Sequence, residues 1–157
     1  MRSDPAPACA PFGCVRAHEL AERPRGQSWL VDGLWGEAGV GIIGGAPKCA
    51  KSWMALDMAV SVATGTACLG RFEVARPGPA LVYLAEDPLA TVRSRLSGLC
   101  ASRGIALEDT PVHVITEPMM RLDRIEHQER LRRTVASVRP RLLILDRRRG
   151  RGRRSGF

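Results

Sequence analysis

The chain has 157 residues, a length that usually forms one domain, and 45% of them are hydrophobic. This apolar share argues against a disordered chain, and no stretch reaches the ~18 consecutive apolar residues that a membrane helix needs. Composition therefore excludes wholesale disorder and a membrane-spanning protein. The 24 basic and 16 acidic residues give a net charge of +8, which favours a polyanionic partner such as nucleic acid.

The positive charge is unevenly distributed along the chain. Residues 147–157 contain six arginines and no acidic residue, which leaves a net charge of +2 for residues 1–146. We expect residues 16–146 to form the folded domain and residues 147–157 to be a disordered Arg/Gly-rich tail. Only two basic residues are lysines, Lys48 and Lys51. This rarity suggests that a compact ammonium charge is needed at these two positions.

The cysteines and the N-terminal segment bear on the cellular location of the protein rather than on a disulfide or metal site. Five cysteines are an odd number, and the sequence has no C-x-x-C pair and no histidine at the spacing of a zinc ligand. Neither a disulfide framework nor a metal-ligand cluster is indicated. Asp4 and three prolines interrupt residues 1–14, so no apolar leader segment is visible. We predict a cytoplasmic protein in which residues 1–15 are disordered.

The apolar patterning predicts alternating strands and helices from residue 39 onwards. Before it, residues 16–38 form a lead-in segment with a short helix near 17–22 and an apolar run at 29–31. Buried strands are predicted at residues 40–44, 80–85, 112–115 and 142–145, and helices at residues 51–64, 89–103 and 126–138. This alternation indicates an α/β fold with a mostly parallel sheet, in which ligands bind at the carboxyl ends of the strands.

A glycine-rich segment follows the first predicted strand and precedes the first predicted helix. It matches the phosphate-binding loop G-x-x-x-x-G-K-[ST] from Gly45, with Ala50 at the second glycine position. In such a loop the backbone N–H groups surround phosphates at a helix N-terminus. Lys51 would reach the β- and γ-phosphates, and the Ser52 hydroxyl would bind Mg²⁺. The predicted nucleotide-binding residues are Gly45, Ala46, Pro47, Lys48, Cys49, Ala50, Lys51, Ser52 and Trp53.

Because position 50 is alanine, the backbone conformation at this position determines how much the nucleotide affinity of the loop is reduced. One added methyl group is harmless at negative φ, but it costs ~1–2 kcal/mol if the loop needs left-handed geometry. Nucleotide affinity would then be reduced rather than lost. The alternative interpretation is a glycine-rich turn that binds nothing.

Two further places supply carboxylates. Glu86 and Asp87 directly follow the strand predicted at 80–85. We predict that Glu86 orients the water that attacks the γ-phosphate, while Asp87 caps the next helix with Pro88 at its first position. Four aliphatic residues precede Asp146, which is the Walker B pattern, and this carboxylate is predicted to lie near Mg²⁺. The predicted catalytic residues are thus Lys51 and Glu86, and the predicted metal ligands are Ser52 and Asp146.

The chain resembles the RecA-like AAA-family ATPases related to RepA-type hexameric replicative helicases. Four segments taken together carry this resemblance: GIIGGAPKCAKSW, LVYLAEDP, HVITEP and RPRLLILD. The likeness covers roughly residues 29–146. It implies a RecA-type sheet, ATP with Mg²⁺, assembly into a hexameric ring and a role in DNA replication, recombination or repair. It also implies that Glu86 matches the glutamate with which the family activates water.

The sequence departs from this family after Asp146. Family members continue with further strands, a sensor residue and an arginine finger, one of these strands lying between the P-loop and Walker B strands. Here the chain changes abruptly to Arg and Gly. We hypothesise a truncated or frame-shifted copy of a longer ATPase. The main prediction is an ATP-hydrolysing P-loop domain. The alternative is a non-hydrolysing nucleotide- or nucleic-acid-binding module, and a P-loop kinase of a small substrate ranks below both because no lid or substrate motif is visible.

Overall fold

The computed structural model describes residues 14–19 and 28–146. The disorder predicted for residues 1–15 and 147–157 and the end of the helix predicted at 17–22 fall largely or wholly outside these ranges. A 3-10 turn at Ala17–Glu19 is described. The strands and helices are β1 (Trp29–Val31), β2 (Trp35–Gly36), α1 (Lys51–Thr64), β3 (Ala80–Leu84), α2 (Leu89–Ala101), β4 (Val112–Val114), α3 (Ile125–Val138) and β5 (Leu142–Asp146).

The central sheet is parallel and has three strands in the order β4-β3-β5. Strand β3 is buried along its whole length because it is the middle strand. Its register with β5 pairs Ala80 with Leu142 and Leu84 with Asp146. The two strands therefore end side by side, and the residues that follow Leu84 lie at the same sheet edge as Asp146. The α/β prediction is confirmed.

Helices α1 and α2 contribute to the core on one face of the sheet. Nine consecutive residues of α1 are buried, from Ala55 to Ala63. One group of core residues joins α1 to β3 and β5 through Met58, Val82 and Leu142. A second joins α1 to α2 through Val60 and Val92. Helix α1 is thus fixed from both sides, which gives the loop before it a rigid support.

The prediction of a strand at residues 40–44 is wrong. The segment has no strand conformation, and Val40 and Ile42 are 102% and 93% exposed. Glycines at 39, 41, 44 and 45 weaken it as a strand, since they add no side chain to the packing. Among the described residues, the parallel sheet consists of β4, β3 and β5 alone, and no strand pairs with residues 40–44.

The same segment still packs against the domain at two points. A Cβ built on Gly41 would lie 2.6 Å from the Trp35 ring, so only glycine allows this close approach. Ile43 is half-buried against the core. The chain therefore reaches the phosphate loop along the β1–β2 hairpin rather than inside the parallel sheet.

The prediction that Asp87 caps α2 is also wrong. The N-cap is Pro88, and no side chain bonds to the helix start. The Asp87 carboxylate instead accepts a hydrogen bond from Arg95, two turns into α2. A fully charged guanidinium is a stronger partner for this carboxylate than a backbone N–H.

Among the described residues, none of the helices combines the length and apolar character of a membrane span.

Candidate functional site

The glycine-rich loop ends where α1 begins. Lys51 and Ser52 are the first two residues of the helix, and Met54 N donates the first helical hydrogen bond to Ala50 O, at 3.0 Å. Residues 44–50 are all exposed. The free N–H groups of the first helical turn and the positive end of the helix dipole therefore face solvent where an anion can reach them.

Two non-glycine residues of the loop have left-handed backbone geometry. Lys48 has φ 63° and Ala50 has φ 60° with ψ 21°. The second glycine position thus requires the conformation in which a methyl group is costly. Gly45 is constrained in another way, because a Cβ there would lie 2.6 Å from Cys49 Sγ. A side chain at position 45 would therefore require the Cys49 thiol to move.

The Lys51 ammonium lies over its own loop. Its Nζ donates to Ala46 O at 2.7 Å and to Gly45 O at 3.1 Å, and it lies 3.5 Å from Cys49 Sγ. These bonds hold the charge at the centre of the loop curve. A phosphate bound by the loop would replace these carbonyl oxygens as partners of the ammonium.

The P-loop serine and the Walker B aspartate come together. Ser52 Oγ donates to Asp146 Oδ2 at 3.3 Å, although the two residues are 94 positions apart in the sequence. Both side chains belong to half-buried residues. The contact places a hydroxyl and a carboxylate at the carboxyl end of β5 and the N-terminus of α1.

These two side chains fit a magnesium ion. Mg²⁺ prefers oxygen ligands and is usually held by one or two carboxylates together with substrate phosphates and water. Ser52 and Asp146 supply the hydroxyl and carboxylate oxygens of such a set. Within the described ranges no cluster of three or more His, Cys, Asp or Glu side chains is arranged for a metal ion. The remaining ligands would have to come from phosphate and water.

Glu86 and Asp87 follow β3 at the same sheet edge, two and three residues beyond Leu84, which pairs with Asp146. Glu86 is exposed. Asp87 is half-buried and forms an ion pair with Arg95, with 2.7 Å between Asp87 Oδ2 and Arg95 Nη1. The Arg95 guanidinium carbon also lies 5.5 Å from the centre of the Trp53 ring. The two neighbouring carboxylates therefore have different surroundings.

Sequence reasoning missed Arg95 and the contact that Trp53 makes with it. One signal was present: Asp87 and Arg95 are eight residues apart, close to two helical turns, at the start of a predicted helix.

Glu117, which follows β4, pairs with Arg130 of α3. The ion pair ties Glu117 to the helix that follows β4.

A buried ion pair holds α1 to the end of α2, behind the site. Arg103 Nη2 lies 2.5 Å from Asp57 Oδ1, and Leu69 N donates to Asp57 Oδ2 at 2.7 Å. The Cys68 thiol lies beside this pair and is fully buried. Burial, reinforced by the Asp57 charge, raises the pKa of Cys68 to about 12. The thiol therefore stays neutral at physiological pH.

A loop of this shape before a helix, with a carboxylate brought against its serine, defines the class of P-loop nucleotide-binding proteins. The comparison with protein families agrees: residues 5–149 match the family model described as AAA domain. The chain belongs to this family of nucleotide-binding ATPases. No curated protein and no solved structure matches it.

Proposed function

We propose that the chain binds ATP with Mg²⁺ and hydrolyses it: water attacks the γ-phosphorus, the bond to the β–γ bridging oxygen breaks, and ADP and phosphate are released. The contact between Ser52 and Asp146 carries this proposal, since it brings two distant motifs into one site with the oxygen ligands that Mg²⁺ prefers. Lys51 adds a positive charge beside them, at the start of the same helix. A glycine-rich turn without a ligand would not need these three side chains together.

The proposed mechanism assigns one task to each side chain. Lys51 exchanges its bonds to the loop carbonyls for the phosphate oxygens and stabilises the negative charge that develops on them. Ser52 and Asp146 would hold Mg²⁺, which when bound neutralises phosphate charge. Glu86 orients the attacking water and accepts its proton.

The metal part of the proposal is tested with Ser52→Ala and Asp146→Asn. Each variant removes one oxygen ligand, so we expect the enhancement of ATP affinity by Mg²⁺ to fall about tenfold or more, while affinity measured in EDTA changes little. Isothermal titration calorimetry with and without Mg²⁺ measures both. Asp123→Asn is the matched control, because Asp123 is an exposed partner of Arg121 outside the site. An undiminished magnesium effect in both site variants would contradict the metal assignment.

The larger role that we propose is that of a DNA motor. The resemblance to RepA-type helicases supports a cytoplasmic ATPase that acts in DNA replication or repair and assembles into a hexamer. The Arg/Gly-rich composition of residues 147–157 favours a second function, an electrostatic arm for single-stranded DNA. This arm would act whether or not the domain hydrolyses ATP.

A further inference from the structure

Three side chains from three different elements meet beside the phosphate loop. Trp53 comes from the first turn of α1, Arg95 from the middle of α2, and Asp87 from the turn after β3. The side chains of Arg95 and Asp87 are only 23% and 20% exposed. We call these residues the Trp53–Arg95–Asp87 cluster.

The geometry points to Arg95 as a positioning residue for Glu86, an inference that rests on the proposed hydrolysis of ATP. Asp87 is covalently joined to Glu86, so whatever fixes the Asp87 carboxylate also fixes the backbone from which the Glu86 side chain projects. The ion pair with Arg95 fixes it against α2. The Trp53 ring then fixes the guanidinium against α1, one residue beyond Ser52.

Arginine suits this task better than lysine. Its planar guanidinium can bond to a carboxylate along its edge while its face lies on an aromatic ring. Here Arg95 Nη1 donates to Asp87 Oδ2 at 2.7 Å, and the guanidinium carbon lies 5.5 Å from the Trp53 ring centre. The cluster therefore connects the turn that carries Glu86 to the helix that carries Lys51 and Ser52.

The cluster also gives the two adjacent carboxylates, Glu86 and Asp87, different roles. Asp87 is held in the ion pair with Arg95, so its carboxylate fixes the turn against α2. Glu86 is exposed at the edge where β3 and β5 end. In the proposed mechanism Glu86 is the base, and Asp87 holds the turn that presents it.

Arg95→Ala tests the inference in single-turnover hydrolysis with enzyme in excess, which detects slow rates. A displacement of ~1 Å at a catalytic group costs about 10²-fold, so we expect the rate of the chemical step to fall about 10- to 100-fold. The affinity for ATP should stay within about twofold of the wild type, since Arg95 lies outside the loop. The matched control is Arg93→Ala, an exposed arginine on the same helix, with the wild-type rate expected.

Two conservative variants keep the test decisive if Arg95→Ala folds poorly. Asp87→Asn keeps the shape and loses the charge, and we expect a loss of about tenfold. Glu86→Gln should lose about 10²- to 10⁴-fold, the usual contribution of a general base. Arg95→Lys, which keeps the charge and loses the planar face, should recover part of the rate lost in Arg95→Ala.

Several results would overturn the inference. An Asp87→Asn variant with the wild-type rate would show that the ion pair positions nothing. A loss in Asp87→Asn as large as that in Glu86→Gln would make Asp87 the base. If Arg95→Ala lowered the ATP affinity as much as the rate, and also lowered the melting temperature, the role of Arg95 would be purely structural. Wild-type protein that binds ATP without hydrolysing it removes the hydrolysis proposal and this inference while leaving nucleotide binding in place.

Discussion

Ala50 shows how one residue can weaken a site without abolishing it. The loop needs left-handed geometry at this position, with φ 60°, and alanine adopts it at a cost of ~1–2 kcal/mol. Gly45, at the other end of the loop, lies so close to Cys49 that any side chain there would displace the thiol. The two glycine positions of the motif thus serve different purposes, one a backbone angle and the other a close approach.

Replacing Ala50 with glycine should stabilise the protein. Relief of the left-handed strain outweighs the extra freedom that glycine gives the unfolded chain, so we expect the free energy of unfolding to rise by about 0.5–1 kcal/mol. Urea denaturation measures it. The matched control is Ala90→Gly in the exposed first turn of α2, which should lose up to about 1 kcal/mol. Equal losses in both variants would show that position 50 is not strained.

The sequence predicted where the first helix begins and which carboxylate lies near its start, while the phosphate-binding role of residues 45–53 stays a prediction. Lys51 and Ser52 do begin a helix, and Asp146 does reach Ser52. The pairing of Asp87 with Arg95 was not predicted, since a local cap and a tertiary ion pair use the same carboxylate. The local sequence indicates the helix cap, but it does not indicate the tertiary ion pair.

At the scale of elements, the position of α1 decides whether the site is formed. The helix carries Lys51 and Ser52 at one end, and the Asp57–Arg103 ion pair ties its middle to the end of α2. These two side chains are only 12% and 14% exposed. Removing one partner leaves a nearly buried charge without compensation, which is far more costly than breaking an exposed pair.

Arg103→Met tests this account of α1. We expect it to lower the free energy of unfolding by about 3 kcal/mol or more, since Asp57 keeps its charge and loses its partner. The same substitution at Arg121, whose pair with Asp123 is exposed, should cost less than about 1 kcal/mol. Chemical denaturation of both variants gives the comparison. Similar values for the two would mean that burial does not strengthen the Asp57–Arg103 pair.

Most elements were predictable because their apolar periodicity is strong. Helix α1 matches its predicted bounds, and β3, β4 and β5 differ by a single residue at one end. The segment at 40–44 was predicted as a strand because it is apolar and β-branched, but a strand also needs a neighbour to bond to. Its sequence pattern cannot show whether that neighbour exists.

At the scale of the whole molecule, charge and chemistry are separated along the chain. The predicted phosphate-binding and metal-binding residues lie between Gly45 and Asp146, where the net charge is small. Six of the eight net positive charges belong to residues 147–157. Nucleotide binding and nucleic-acid binding should therefore be separable by deletion.

Deleting residues 147–157 should remove DNA binding and leave ATP binding unchanged. Counterion release from a single strand makes the affinity of an arginine arm fall steeply with salt. We expect fluorescence anisotropy with a labelled oligonucleotide to show salt-dependent binding by the full chain only. A matched variant with the six arginines of the tail replaced by glutamine separates charge from length. Unchanged DNA affinity in both would place the DNA contact elsewhere or refute the arm.

The central claim is that residues 45–53 bind the phosphates of ATP, and the most direct measurement is calorimetric titration with Mg²⁺–ATP of the wild type and Lys51→Ala. The account predicts one site per chain in the wild type and a loss of at least tenfold in affinity in the variant, since the ammonium at the centre of the loop is removed. Lys48→Ala should have a smaller effect, because the motif assigns the phosphate contact to Lys51. Wild-type affinity in Lys51→Ala, or no binding by the wild type, would contradict it.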